Sequence, residues 1–184
     1  CLDDCNHDVL TLTDKAIRAG AALQREISRL RRQVAPLSAL CFGMECGRSD
    51  PSSGMVSNPL IGRITDALVA GGARVIFGET MEWLGAEHLL ARRAATPEVA
   101  QALVQAVSRR EALAMSQGED LLGNNPGPTN IAAGLSTIEE KSLGAIAKSG
   151  SATIQGVLAL AERPVGPGLY AMDASAYAPE SLSG

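Results

Sequence analysis

Two short acidic stretches hold most of the chemistry this chain can offer. Glu45-Cys46-Gly47-Arg48-Ser49-Asp50 follows one apolar run, and Glu79-Thr80-Met81-Glu82 follows another. If those runs are neighbouring parallel strands, Glu45, Asp50, Glu79 and Glu82 leave them at one rim, where open α/β sheets bind their ligands. Carboxylates gathered at such a rim can hold a divalent cation or divide acid and base roles. Asn58-Pro59 sets an N-cap residue ahead of a proline suited to the first helical position. A helix starting there would turn free N–H groups toward a substrate carboxylate. Lys141 and Lys148 can serve as bases when removed from water, although a lysine near a helix C-terminus is ordinarily structural.

Other polar residues read more simply. Glu139 and Glu140 suit the start of a helix as cap and dipole partners, and Ser136 and Thr137 read as caps rather than nucleophiles. His88, beside Glu87, reads as a surface residue of a helix. Cys1, Cys5 and His7 match no common zinc spacing, and no fourth ligand is evident. Neither a P-loop, a dinucleotide-binding glycine fingerprint nor a Ser-His-Asp order is present in the sequence.

The elements that must position these groups follow from hydrophobic spacing. Ala16, Leu23, Ile27, Leu30 and Val34 recur at helical steps over residues 13–34, and Pro36 ends that helix. Leu37 to Met44 reads as a buried strand and residues 45–57 as a loop. A helix from Asn58 runs to Gly71-Gly72, and Arg74 to Gly78 forms a second strand rich in β-formers. This is a β-α-β unit, which implies parallel strands and a right-handed crossover. A short helix is expected over 85–94, and a longer one from Thr96-Pro97-Glu98 to about Gln117. Residues 118–133 read as a shaped loop. A helix follows from the Ser136/Glu139 capping pattern to about Lys148, with Gly150 as its stop, and Gly168 to Met172 makes a third strand.

Composition narrows the partners. The 184 residues suffice for one domain with a real core, and 46% hydrophobic with 20% charged residues lies in the globular range. A net charge of −4 and only 3% aromatic residues supply neither a basic field nor stacking surface, so nucleic acid is not expected as a partner. No apolar run is long enough for a membrane span and no signal-peptide pattern opens the chain, which points to the cytoplasm and to free thiols at the four cysteines.

Four blocks of residues, in order, resemble the altronate/galactarate dehydratase family. The first is Glu45-Cys46-Gly47-Arg48-Ser49-Asp50 with Ser53-Gly54, Asn58-Pro59 and Gly62, similar to the family's E-C-G-G-S-D, S-G, N-P and G. Glu79-Thr80, Glu82 and Gly85-Ala86-Glu87 resemble E-x-x-E-x-x-G-A-E. Asn125-Pro126-Gly127-Pro128 with Asn130 resembles N-P-[SG]-P-x-N, and Gly134-Leu135-Ser136-Thr137 through Gly144, with Lys148 and Gly150, resembles the fourth block. The resemblance runs from about Leu40 to the C-terminus. Arg48, Met81 and Ala133 depart from it, standing where the family has a glycine, a proline and part of a glycine doublet.

The resemblance implies a lyase that uses a divalent metal, iron(II) or manganese(II), to dehydrate a sugar acid to a 2-keto-3-deoxy acid. The related sulfolactate sulfo-lyases expel sulfite instead. The reaction begins by removing the proton α to a carboxylate, and charge builds on the resulting enediolate. Glu45, Asp50, Glu79, Glu82 and Lys141 are then the expected catalytic residues, with Glu82 and Glu87 as metal ligands. Cys46, Arg48, Ser49, Asn58, Asn125, Asn130 and Thr137 are expected to bind a small hydroxy acid, with Arg48 suited to a sulfonate or distal carboxylate. The fold expected is α/β and Rossmann-like: three layers, with a short, mostly parallel sheet and flanking helices. A helical segment (1–36) precedes a lyase core (37–184), which is expected to be truncated because family members continue past the equivalent of Gly184. Such a chain is expected to be a non-catalytic subunit or fragment, or to need further sequence, a partner subunit or a homo-oligomer.

Overall fold

The computed structural model describes residues 3–45, 47 and 49–176, and the chain divides into two compact units, Cys1–Ala35 and Pro36–Gly184. Cys46 and Arg48, two of the expected binding residues, lie outside the described residues.

The first unit is built on one helix, α1 (Val9–Ile27). Asp8 caps it, its Oδ1 accepting from Leu10 N at 3.0 Å and its Oδ2 from Thr11 N at 3.3 Å. The helix therefore begins four residues before the expected Thr13. It also stops well short of Val34. The Ser28 hydroxyl donates to Arg25 O at 2.9 Å, a local bond that competes with continued helix, and residues 30–36 are not helical.

The second unit is α/β. Its sheet has the order β1-β2-β4-β3, with β1 Cys41–Met44, β2 Arg74–Phe77, β3 Ile154–Leu158 and β4 Gly168–Met172. Every pairing is parallel. Cys41 to Met44 lie opposite Arg74 to Phe77, and Arg74 to Phe77 opposite Gly168 to Ala171. Between β1 and β2 comes α2 (Asn58–Ala70), closed at Gly71. Between β2 and β3 come a 3₁₀ turn (Thr80–Trp83), α3 (Glu87–Ala91), α4 (Pro97–Ser116), α5 (Leu121–Asn124), α6 (Pro128–Ala132) and α7 (Ile138–Ile146). Thr96 caps α4 and Thr137 caps α7, each from extended backbone.

Alternation along the strands sorts the core. Val75, Phe77, Leu169 and Ala171 face one way and join Trp83, Leu90, Leu103 and Ala106. Ile76, Tyr170, Met172 and Leu158 form a smaller cluster on the opposite side. β4 is central and buried at all five positions, whereas β1 pairs on one side and leaves Cys41 and Gly43 exposed.

Four expectations are corrected. The first strand is an edge, not a buried strand, and Leu37–Ala39 ahead of it forms a 3₁₀ turn. The β3 strand was not expected; Gly156 interrupts its apolar pattern, and a register shift at Ile154/Gly156 absorbs the irregular residue. Residues 118–133 hold two short helices rather than loop alone. The expected loop 45–57 is helical from Pro51. There Asp50 acts as the cap, accepting from Ser53 N at 3.1 Å, while its own N–H donates to Ser53 Oγ at 3.1 Å. Residues 50–59 hold two Asx-Pro pairs, and the chain starts its helix at the earlier one. A π-type turn at Ser53–Ser57, with Asn58 N–H reaching back to Ser53 O, leads directly into Pro59, which lies inside the continuous helical stretch.

Candidate active site

Glu79 stands just beyond β2 with left-handed backbone, φ 66° and ψ 52°. Such a conformation costs a glutamate on the order of 1–3 kcal/mol, so surrounding contacts must hold it. The 3₁₀ turn after it is anchored from below by Trp83. That side chain is 1% exposed, donates from Nε1 to Gly78 O at 3.0 Å and packs tilted on Phe77 with ring centroids 5.4 Å apart. Glu82 N–H closes the turn on Glu79 O at 2.7 Å. The three-residue step of this turn carries both carboxylates to α7, which packs against it.

Two lysines meet them. Lys141 in α7 and Lys148 in the 3₁₀ turn after it (Ala147–Ser149) are seven residues apart, two helical turns, and so share a face. Lys148 pairs with Glu79, and Lys141 Nζ lies 3.2 Å from Glu82 Oε1. The result is a ladder of two ion-paired rungs. Lys148 is 2% exposed, whereas Lys141 and Glu82 keep 10% and 12% of their side-chain surface. Desolvation of such pairs is expensive, and it is tolerated only when both partners and further hydrogen bonds are present. Lys141 has one such bond, donating to Asn125 Oδ1 at 2.9 Å. Glu82 Oε2, Glu87 Oε2, Asn125 Nδ2 and Ser142 Oγ are buried without a hydrogen-bond partner.

Lys141 also opens onto a cavity of about 260 Å³ between α7 and the helical turns after Asp50. Ser49, Asp50, Ser53 and Asn58 line its other wall. The two walls approach closely at Gly54 and Gly144, where a Cβ on Gly144 would stand 3.0 Å from Gly54 Cα. The Asp50 carboxyl is held below the usual carboxylate range, chiefly by the Ser52 hydroxyl and then by Ser53 N–H. It is therefore a charged turn-former and a weak proton acceptor. Asn130 ties the loop down, donating from Nδ2 to Ser49 O at 2.9 Å and accepting Gly127 N–H at 3.2 Å. A second cavity, of about 320 Å³, is lined by Asn125 and Thr137.

The expected residues thus separate by role. Glu79, Glu82 and Lys141 come together. Asp50, Ser49 and Asn58 share the cavity with Lys141. Asn58 lies within helical backbone rather than capping it, and its Nδ2 donates to Gly144 O at 2.9 Å, so it offers no helix N-terminus to a carboxylate. Thr137 caps α7, its hydroxyl accepting Glu140 N–H at 3.1 Å, and Glu140 in turn accepts from the Ser136 hydroxyl and N–H. Glu45 is exposed at the end of β1 and does not line the 260 Å³ cavity. Lys148 is the residue that sequence reasoning underused. The signal was its spacing of seven from Lys141 beside the spacing of three between Glu79 and Glu82.

The unpartnered oxygens of Glu82 and Glu87 have the chemistry a hard divalent cation prefers. Among the described residues, however, no group of three histidine, cysteine, aspartate or glutamate side chains could hold a metal ion. The described residues therefore do not complete a ligand set.

Comparison with known proteins gives this arrangement a family. Over 180 residues the chain is 38% identical to the (2R)-sulfolactate sulfo-lyase subunit beta of Chromohalobacter salexigens, covering 97% of this chain and 46% of that protein. It is 38% identical to an altronate dehydratase of Bacillus subtilis over 83% of this chain and 31% of the relative. It is 36% identical to the galactarate dehydratase (L-threo-forming) of Escherichia coli over 88% of this chain and 29% of the relative. The chain thus spans less than half the length of each of these relatives. The model of the D-galactarate/altronate dehydratase C-terminal family matches residues 37–184. With that match over the whole α/β unit, the chain belongs to the D-galactarate/altronate dehydratase family.

Proposed function

We propose that this chain supplies the proton-transfer site of a lyase that dehydrates a sugar acid, an aldonate or aldarate, to a 2-keto-3-deoxy acid. The observation that carries this reading is Lys141, held between Glu82 and Asn125 at the wall of a cavity of about 260 Å³. Elimination begins at the carbon α to a carboxylate. Release of one ammonium proton to solvent leaves Lys141 as the amine that takes the α-proton, while Glu82 stays ionised beside it. The lysine, again an ammonium, then protonates the departing hydroxyl, so one residue acts as base and then as acid. In this reading Asn125 orients Lys141, and Ser49 and Ser53 on the cavity wall hydrogen-bond the substrate's hydroxyls. Glu79 is given no proton-transfer step.

Iron(II) or manganese(II) belongs to the proposal, with Glu82 and Glu87 as its ligands from this chain and the remaining ligands from outside the described residues. When bound, it would stabilise the charge that develops on the substrate carboxylate.

The test uses the full-length protein with a panel of aldonic, aldaric and sulfo-hydroxy acids, with and without ferrous or manganous ion, following 2-keto acid. Product should form from at least one sugar acid, fall on chelation, and drop about 10²-fold or more in kcat for Lys141→Met. A panel without product, or a fully active Lys141→Met enzyme, would sink the reading.

A sulfo-lyase is the second reading, favoured by the sulfo-lyase relative's match over 97% of this chain. Sulfite leaves without needing a proton, so the same site would serve. That relative is a subunit, and in this reading the present protein also works with a partner. Here Arg48 pairs the sulfonate, and Arg48→Ala in the full-length protein should weaken di-anionic substrates more than mono-anionic ones. An unchanged preference removes Arg48 from the account.

A further inference from the structure

The deeper rung of the ladder has no assigned task in the proposed elimination, yet it is the better sealed of the two. Lys148 is 2% exposed and spends its ammonium on Glu79. Its backbone is fixed from behind by α2, where the Thr65 hydroxyl donates to Lys148 O at 2.9 Å and Thr65 itself is fully buried. Glu79 is one of four non-glycine residues with positive φ among those described, and it starts the turn that carries Glu82. Glu82 N–H bonds Glu79 O at 2.7 Å, so the backbone of Glu79 decides where the Glu82 side chain begins. An acidic side chain gains nothing from left-handed backbone; glycine would adopt it freely. The contacts of its carboxylate must help to keep the glutamate there, and the buried ammonium of Lys148 is one of them.

We infer that Lys148 is a positioning residue: by pairing with Glu79 it holds the left-handed turn that presents Glu82 to Lys141. This deepens the proposed function and rests on it for the catalytic consequence, but its structural half can be read independently. Lys148 touches no substrate in this account. It acts on the chemistry through one backbone conformation.

The experiment compares full-length wild type, Lys148→Met and the double variant Glu79→Gly/Lys148→Met. Amide hydrogen exchange at Glu82 and steady-state kinetics are measured on each. With Lys148→Met, Glu82 exchange should quicken about tenfold or more, because the strained turn loses its clamp. Its kcat should fall about tenfold or more while KM stays within about threefold, as expected when alignment rather than binding is lost. Glycine at position 79 needs no clamp, so the double variant should regain slow exchange and most of kcat. A double variant that folds but stays as slow as Lys148→Met would overturn the inference, because Lys148 would then act by some route other than the turn. Wild-type exchange and kcat in Lys148→Met would overturn it as well. If Lys148→Met does not fold, the double variant decides alone, by the same two readings. Full activity in Lys141→Met would fail the proposed function and leave the exchange comparison standing.

Discussion

At the scale of single residues, the site is two buried ion pairs whose partners cannot be exchanged one at a time. Removing the charge of Glu82 leaves the Lys141 ammonium covered and without its carboxylate. Glu82→Gln should therefore destabilise the full-length protein by about 3 kcal/mol, whereas the double change Glu82→Gln/Lys141→Met should cost less than the sum of the single changes. Denaturant unfolding of all four forms measures this, and strict additivity would mean that the rung carries no coupling. The carboxylates of this site were legible from the sequence because they sit in strand tails. The distinction between them was not. That Asp50 is a cap, Glu45 is exposed and Glu79 clamps a turn depends on burial and partners, which residue type and spacing do not encode. Lys148 was undecided for the same reason: only the packing of α2 behind it shows that it is sealed.

At the scale of elements, the ladder stays in register because α2 lies close against the turn that carries Lys148. A Cβ on Gly62 would stand 2.3 Å from Ala147 O and 3.1 Å from Gly150 Cα, so the helix and the turn meet backbone to backbone. Gly62→Ala must push them apart and should cost about 1–3 kcal/mol of stability, read as a lower unfolding midpoint. An unchanged midpoint would show that the contact gives way without cost. Sequence reading found α4 through its Thr96 cap, and α2 and α7 through apolar spacing and glycine stops although their caps were misassigned, and it found β2 and β4 through β-branched and apolar runs. It lost β3, whose Gly156 breaks the alternation, and it treated β1 as buried because an apolar run alone does not distinguish a central strand from an edge. The start of the helix before α2 was misplaced by one Asx-Pro pair, since a π-type turn that tolerates an internal proline leaves no periodic trace.

At the scale of the α/β unit, one polar network joins the α2 crossover to the segment that enters β3. Asp66 in α2 accepts from Ser151 N at 2.7 Å, Ser151 Oγ at 2.9 Å and Ala152 N at 2.9 Å, while Arg93 donates to Ser149 and Ala152. Burial raises the Asp66 carboxyl, but the Ser151 and Ala152 bonds and then Arg93 outweigh it, leaving it below its ordinary value. A depressed folded-state value means that this stabilisation is fully present above the unfolded carboxylate's pKa, near 4, and is lost as pH falls through the lower folded value. Acid unfolding should accordingly be less steep below about pH 4 in Asp66→Asn than in wild type, and equal slopes would remove Asp66 from the linkage. No helix among the described residues is long and apolar enough to cross a membrane. The parallel β-α-β core was readable from the order of elements alone, because consecutive parallel strands leave few crossovers open. The two-rung ladder also restricts how this unit can vary in length. One residue added between Lys141 and Lys148 would swing the second lysine by about 100° around the helix and off its glutamate. Sequences that keep this machinery can exchange exposed side chains between the two lysines, though not Gly144, which meets Gly54, and they cannot gain or lose a residue there.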